Sequence, residues 1–138
     1  MIAVYLAAHY SRKFEIARYA KQLEKMGIKV VSSWYREKAG PDNPFQTSSE
    51  RNRQRVAKRD KEEVNLCTHL VLFTVSPDIA FTRGGHCWED GYAEGIGKIR
   101  AIVGPKQLLF HWLPKQNRFD CWEDCRDWLL KEFYESGN

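Results

Sequence analysis

Short apolar runs alternate with amphipathic helical stretches from one end of this chain to the other, and few folds accommodate that order. Ile2–Ala8 is β-rich and ends in small residues, as a buried parallel strand does before a tight turn. Ser11 is expected to cap a helix running to about Gly27, with Phe14, Ala17, Leu23 and Met26 as its apolar positions. Ile28–Val31 follows as a second strand, and 34–48 reads as a long loop holding Gly40, Pro41, Asn43 and Pro44. Ser48 or Ser49 starts a helix ending near Leu66, and His69–Val75 is the third and most apolar strand. Gly84 to Gly97 forms a glycine-rich helix before a fourth strand, Ile99–Val103. An extended piece at Arg118–Asp120 precedes a last helix, capped by Asp120, that buries Trp122, Trp128, Leu129 and Phe133. This order predicts one α/β domain over 1–138: an open, mostly parallel sheet with helices on both faces. In such sheets a ligand sits beyond the carboxyl ends of the strands, so chemistry is sought after Ala8, Val31, Val75 and Val103.

No apolar run approaches the roughly 20 residues of a membrane span, and no basic region precedes the N-terminal apolar stretch, so a cytoplasmic protein with no membrane partner is expected. The net charge of +4 is unevenly spread. Residues 1–60 hold 13 basic and 6 acidic side chains, whereas 61–138 hold 9 and 12. The densest cluster is Arg51, Arg53, Arg55, Lys58, Arg59 and Lys61, which suits nucleic acid, a phosphorylated small molecule or a solvated helix face. Four cysteines lack zinc spacing, since Cys121 and Cys125 have no second close Cys/His pair and Cys67 and Cys87 stand apart. Reduced, partly buried thiols and no metal are expected.

The most informative segment is Thr82-Arg-Gly-Gly-His-Cys-Trp-Glu-Asp-Gly-Tyr-Ala-Glu-Gly95. Paired glycines, Gly84 and Gly85, let backbone approach a ligand, and the helix that follows offers unpaired N–H groups to an anion. There is no Gly-Lys-Ser/Thr and no GxGxxG after strand one, so neither nucleotide fingerprint is present. Glu89 falls near the first turn of that helix, where the helix dipole would keep a carboxylate ionised and nucleophilic; a plain helix-start glutamate has the same pattern. Asp60 could be an ion-pair partner within a basic helix, and Tyr5 a core residue.

Tyr5-Leu-Ala-Ala, Asp60 with Val64 four residues on, the strand from His69, and Arg-Gly-Gly-x-x-x-Glu-x-Gly-x-Ala with Gly-Lys behind it together resemble the nucleoside 2-deoxyribosyltransferase family. Gly104-Pro, Phe110-His-x-Leu-Pro114 and Phe119-Asp-x-Trp122 resemble its compact bacterial and bacteriophage branch, which is related to deoxynucleoside 5′-monophosphate N-glycosidases. The resemblance covers essentially the whole chain and implies a flavodoxin-like fold with five strands, no cofactor, and a homo-oligomer, dimer or larger. It implies cleavage of the N-glycosidic bond of a 2′-deoxyribonucleoside or its 5′-monophosphate through a covalent deoxyribosyl-enzyme, with transfer to an acceptor base or to water. Glu89 matches the nucleophile, Tyr5 the hydroxyl that orients it, and Asp60 the acid that contacts the leaving base.

One departure is informative. Six residues before the nucleophile, transferases of free nucleosides carry Asp and monophosphate hydrolases Ser, whereas this chain has Arg83. A guanidinium there fits a 5′-phosphate, unless it faces solvent or pairs with a carboxylate. Leu108 likewise replaces an Asn common in relatives. His9 and Ser11 could contact phosphate or act as surface residue and cap, and Trp34 could stack on a base or belong to the core. Two rival readings stand beside this one: a ribonucleotide or NAD-type glycohydrolase, and a non-catalytic nucleotide- or nucleic-acid-binding module using the 51–61 helix. A small phosphorylated substrate accounts for the basic surplus better than nucleic acid does.

Overall fold

A computed structural model describes residues 1–37, 49–74 and 84–137. Its five strands are β1 (Ala3–Ala7), β2 (Lys29–Val30), β3 (His69–Phe73), β4 (Ile99–Val103) and β5 (Asn117–Phe119). They form one sheet in the order β2-β1-β3-β4-β5, and every neighbouring pair is parallel. This is the flavodoxin-like strand order. β1 and β3 are buried at every position, which explains why they read as continuous apolar runs rather than alternating ones.

Four helices cover the sheet: α1 (Lys13–Lys25), α2 (Glu50–Leu66), α3 (Gly85–Gly95) and α4 (Trp122–Glu135). α1 and α4 share one face, where Tyr19 stacks on Trp122 with ring centroids 4.7 Å apart and the Trp122 indole donates to Gln22. α2 and α3 share the other, joined by a Tyr92 hydroxyl bond to Asn65. Helices on both faces, the expected arrangement, are therefore present.

Local details depart from the sequence reading. Ser11 does not cap α1: it lies in a 3-10 turn, Tyr10–Arg12, where its own amide donates to the His9 ring, and α1 begins at Lys13 with no side-chain cap. The buried stripe of α1 is Ile16, Ala20 and Leu23 at i, i+4 and i+7, which leaves Phe14 on the outer side and 73% exposed. Ser49 does cap α2, accepting from the Asn52 amide. Asp120 pairs with Arg118, and α4 starts after Cys121 without a side-chain cap. Trp122 and Leu129 are buried as expected, with Trp128 and Phe133 packed partly against the core. Cys67 and Cys125 are buried, Cys87 half-buried and Cys121 exposed.

Two glycines are conformationally required. Gly84, immediately before α3, has φ +75° and turns the chain into the helix. Gly104, after β4, has φ +109°, and a Cβ there would collide with the Thr74 hydroxyl. Among the described residues no helix is long and apolar enough to cross a membrane.

Candidate active site

From β1 the sheet grows to one side through β2 and to the other through β3, so the strand order reverses beside β1. A crevice forms at the carboxyl ends of strands flanking such a reversal. Tyr5, in the middle of β1 and fully buried, points to the α2/α3 face, where its hydroxyl donates to Glu89 Oε2. α3 supplies that carboxyl from its fifth residue, just past the first turn and close to where the sequence reading placed it.

Burial, rather than the dipole, sets the electrostatics. A helix dipole acts within its first turn, and Glu89 lies beyond it. Burial dominates and pushes the Glu89 carboxyl up to about 8, reinforced by the negative charges of Asp60 and Glu63 and opposed by the Tyr5 bond and by Arg59. The expected ionised carboxylate is thus, in the free protein at neutral pH, mainly a carboxylic acid. Tyr5 is itself held far above the ordinary phenol range, by burial first and then by Glu89, so it remains a donor.

Asp60 reaches the same place from α2. It is half-buried, and burial raises its carboxyl despite bonds of 2.9 and 3.1 Å from the Arg59 guanidinium to Oδ1. One turn further along α2, Glu63 accepts from the Ser33 hydroxyl at 2.6 Å and from its amide at 3.1 Å, and burial raises it too. Glu89, Asp60 and Glu63 are therefore three carboxyl groups within electrostatic reach of one phenol.

Glu63, Ser33 and Arg59 escaped the sequence reading. The three-residue spacing of Asp60 and Glu63, one face of a helix, was the available signal for Glu63. Arg59 was hidden in the basic cluster, which the structure divides. Arg59 is engaged with Asp60 and Glu37, and Arg55 with Asn52 and Glu37, whereas Arg51, Arg53 and Lys58 are exposed.

A second group gathers just beyond β1. The His9 ring accepts from the Ser11 amide at 3.2 Å and bonds the Ser11 hydroxyl at 2.7 Å. It meets the edge of His86, the second residue of α3, at 6.3 Å between ring centroids. His86 is lowered by burial and by its neighbours His9 and Arg12, which favours the neutral ring. His9, Ser11, Gly84 and Gly85 are thus brought to one corner, at the amino end of α3. Arg12 approaches it as well, donating to the Thr74 carbonyl and to both oxygens of Glu15. Arg83 lies outside the described residues.

Trp34 is buried, and its indole N–H donates to the Leu6 carbonyl at 2.7 Å, beside rings of Tyr10 and Tyr35. Trp88 is exposed and stacked on Tyr92. Among the described residues no group of three or more His, Cys, Asp or Glu side chains is arranged to hold a metal ion.

No protein-family model matches the chain, and no curated protein matches it. Solved structures do. A CMP N-glycosidase, BcmB, of Clostridium botulinum is similar over 92% of this chain and 97% of its own, with a TM-score of 0.58 and 17% identity. A 2-deoxyribosyltransferase of the psychrotolerant bacterium Bacillus psychrosaccharolyticus is similar over 91% of this chain and 90% of its own, with a TM-score of 0.65 and 18% identity. At these identities the likeness is one of fold, and this chain has the same α/β architecture as both over nearly its whole length.

Proposed function

We propose that this chain cleaves the N-glycosidic bond of a 2′-deoxyribonucleoside or its 5′-monophosphate through a covalent deoxyribosyl-Glu89 intermediate, passing the sugar to another base or to water. The observation that carries the reading is the Glu89 carboxyl held by Tyr5 at the strand-order reversal, with Asp60 close enough to influence it. A deoxyribosyl centre leaving its base develops positive charge, and three carboxyl groups converging on one phenol favour that charge. Glu89, having lost its proton, attacks C1′; the C1′–N bond breaks with its electron pair moving to the base, and Asp60 donates the proton the base takes up. Water or a second base then attacks C1′, its proton passing to Asp60, which is thereby restored, and the ester bond breaks with its electrons returning to Glu89. No cofactor enters this scheme.

His9, Ser11, Gly84, Gly85 and Arg83 serve the 5′ end in this reading. The backbone N–H groups opening α3 suit an anion. Arg83 directly precedes Gly84 in the chain and adds a guanidinium matched to phosphate. Trp34 backs the site as a buried aromatic wall. The exposed run of Leu109, Phe110 and Trp112 offers an apolar surface for assembly into a dimer or larger oligomer, which light scattering tests. The similar CMP N-glycosidase acts on a ribonucleotide, which supports a second reading: a glycohydrolase whose substrate keeps its 2′-hydroxyl.

Incubation with deoxynucleosides, their monophosphates, ribonucleotides and NAD, with and without an acceptor base, separates these readings by chromatography of free base. Release or exchange from a deoxy donor, lost in Glu89→Ala, is expected. Turnover of ribonucleotides alone would favour the second reading, and no turnover with salt-dependent DNA binding would overturn both. Arg83→Ala is expected to weaken monophosphate use by about tenfold or more and nucleoside use little. Equal losses on both substrates would remove the phosphate assignment.

A further inference from the structure

The helix that carries Glu89 is gripped from a second side. In the sheet, Tyr5 of β1 lies beside Leu70 of β3, and Leu70 beside Arg100 of β4, so the three form one row across adjacent strands beneath α3. At about 4.8 Å per strand the row places Tyr5 and Arg100 roughly 10 Å apart. Glu89 reaches the Tyr5 end of that row, and Asp90, the next residue, reaches the Arg100 end. Consecutive residues of a helix point about 100° apart, so these two contacts hold the helix from opposite flanks.

We propose that Arg100 is a positioning residue for Glu89: by gripping Asp90 and Glu94 it fixes the rotation of α3 and holds the Glu89 carboxyl against Tyr5. The inference rests on the function proposed above. Arg100 Nε donates to Asp90 Oδ1 at 2.8 Å, Nη2 to Asp90 Oδ2 at 2.7 Å, and Nη1 to Glu94 Oε2 at 2.6 Å. The guanidinium and the Asp90 carboxylate are both almost wholly buried, so the pair is not screened by water.

Apolar packing does not do this work. Of the three buried residues of α3, His86 and Asp90 are polar and Ala93 is a single methyl group; Tyr92 adds a partly buried ring, and the helix contains Gly85, Gly91 and Gly95. A helix resting on so little apolar surface can roll, whereas three directed bonds from a planar guanidinium permit one orientation. His111 does not replace Arg100. Its Nδ1 accepts from the amides of Gln107 and Leu108, and its buried Nε2, 3.9 Å from Asp90 Oδ2, makes no hydrogen bond.

The test separates positioning from stability. Asp90→Leu with Arg100→Met replaces the pair by apolar groups, a change that commonly preserves stability, but it supplies no directed bond. In this double variant the unfolding temperature is expected to stay near that of the wild type. Its kcat is expected to fall by about 10- to 100-fold, with KM within about threefold, because misplacing a reacting group by about 1 Å has that effect. The carbon-13 NMR titration of the Glu89 carboxyl is expected to move down toward the ordinary range as the group leaves its buried position. A stable double variant with wild-type kcat and an unmoved Glu89 titration would overturn the proposal. Should that variant fail to fold, Arg100→Lys decides the matter: a lysine is a point charge that cannot make the three-bond fork, so a smaller shift of both readouts in the same direction is expected, and no shift in either overturns it. If the wild type turns over no donor, the proposed function fails, and the NMR titration, which needs no substrate, still judges the positioning role.

Discussion

Glu89 and Asp90 are neighbours on one helix, and the protein treats their carboxyl groups in opposite ways. Asp90 is buried against a guanidinium that meets both its oxygens. Glu89 is offered a phenol and the company of two further carboxyl groups, and Arg59, the cation that acts on it, is already shared between Asp60 and Glu37. One flank of α3 is electrically complete as folded. Among the described residues the other has more carboxyl groups than cations, and in the proposed reaction the oxocarbenium-like sugar would supply positive charge there. The difference teaches that burial alone does not mark a candidate catalytic carboxyl: a buried acid with no cation bonded to it does so better.

Conservative amides break the comparison most sharply. Glu89→Gln is expected to lower turnover by about 10³-fold or more, since the amide cannot form the sugar ester. Its effect on stability follows from the raised pKa. The group stabilises the fold fully below its ordinary value of 4.5, and that contribution is lost as pH rises through about 8. Glu89→Gln therefore gains thermal stability over the wild type at pH 9 and little at pH 5. Asp90→Asn goes the other way, losing about 3 kcal/mol at neutral pH because the buried Arg100 is left under-compensated. Thermal unfolding of both variants at the two pH values checks this; similar stability changes in the two would erase the distinction between the flanks.

Much of this was legible in the sequence, for reasons that differ by element. β1 and β3 announce themselves because a strand covered on both faces must be apolar throughout, and α3 because Gly84 and Gly85 mark its entry. The candidate residues Tyr5, Asp60 and Glu89 were found through their motifs, and the structure brings the three together. Their electrostatics were not legible. Whether Glu89 feels the dipole or the burial depends on how the helix packs over Tyr5 and on Asp60 and Glu63, which approach from a different element. Arg100 was equally silent: an arginine in a strand shows no partner until the register sets it beside Leu70 and beneath α3. Phe14 misled because an apolar residue fits a helical stripe by count while lying on its outer edge.

The next effect concerns the proton that Glu89 must give up. With Glu89 at about 8 and Asp60 also raised, the two carboxyl groups share one proton between their apparent pKa values, and the proposed reaction requires it on Asp60. The wild-type kcat/KM profile is then bell-shaped, with its descending limb near pH 8. Asp60→Asn is expected to lower kcat/KM by about 10²-fold and to change that shape. With no acid to lose, its profile rises through the Glu89 deprotonation and levels off at higher pH. A variant that keeps the descending limb would show that Asp60 is not the proton donor.

Tyr5→Phe makes the smallest change to the catalytic flank, removing one oxygen and leaving the ring in the core. Two consequences follow from the same lost bond. The Tyr5 hydroxyl favours the charged form of Glu89, so without it the carboxyl moves further up and less of it is ionised at pH 7. The carboxylate also loses the donor that aims it, while Arg100 still holds the helix from the other side. A hydrogen bond to a charged group contributes about 1.5 kcal/mol or more, so kcat is expected to fall roughly tenfold, with KM little changed. The alkaline limb should move to higher pH in the same variant, because it reports Glu89. Stability at neutral pH should change little, since the bond is made to a group that burial already keeps protonated. A kcat loss with an unmoved limb would mean that Tyr5 aims Glu89 without tuning it, and a limb shifted downward would mean that the hydroxyl does not act on Glu89 as a donor.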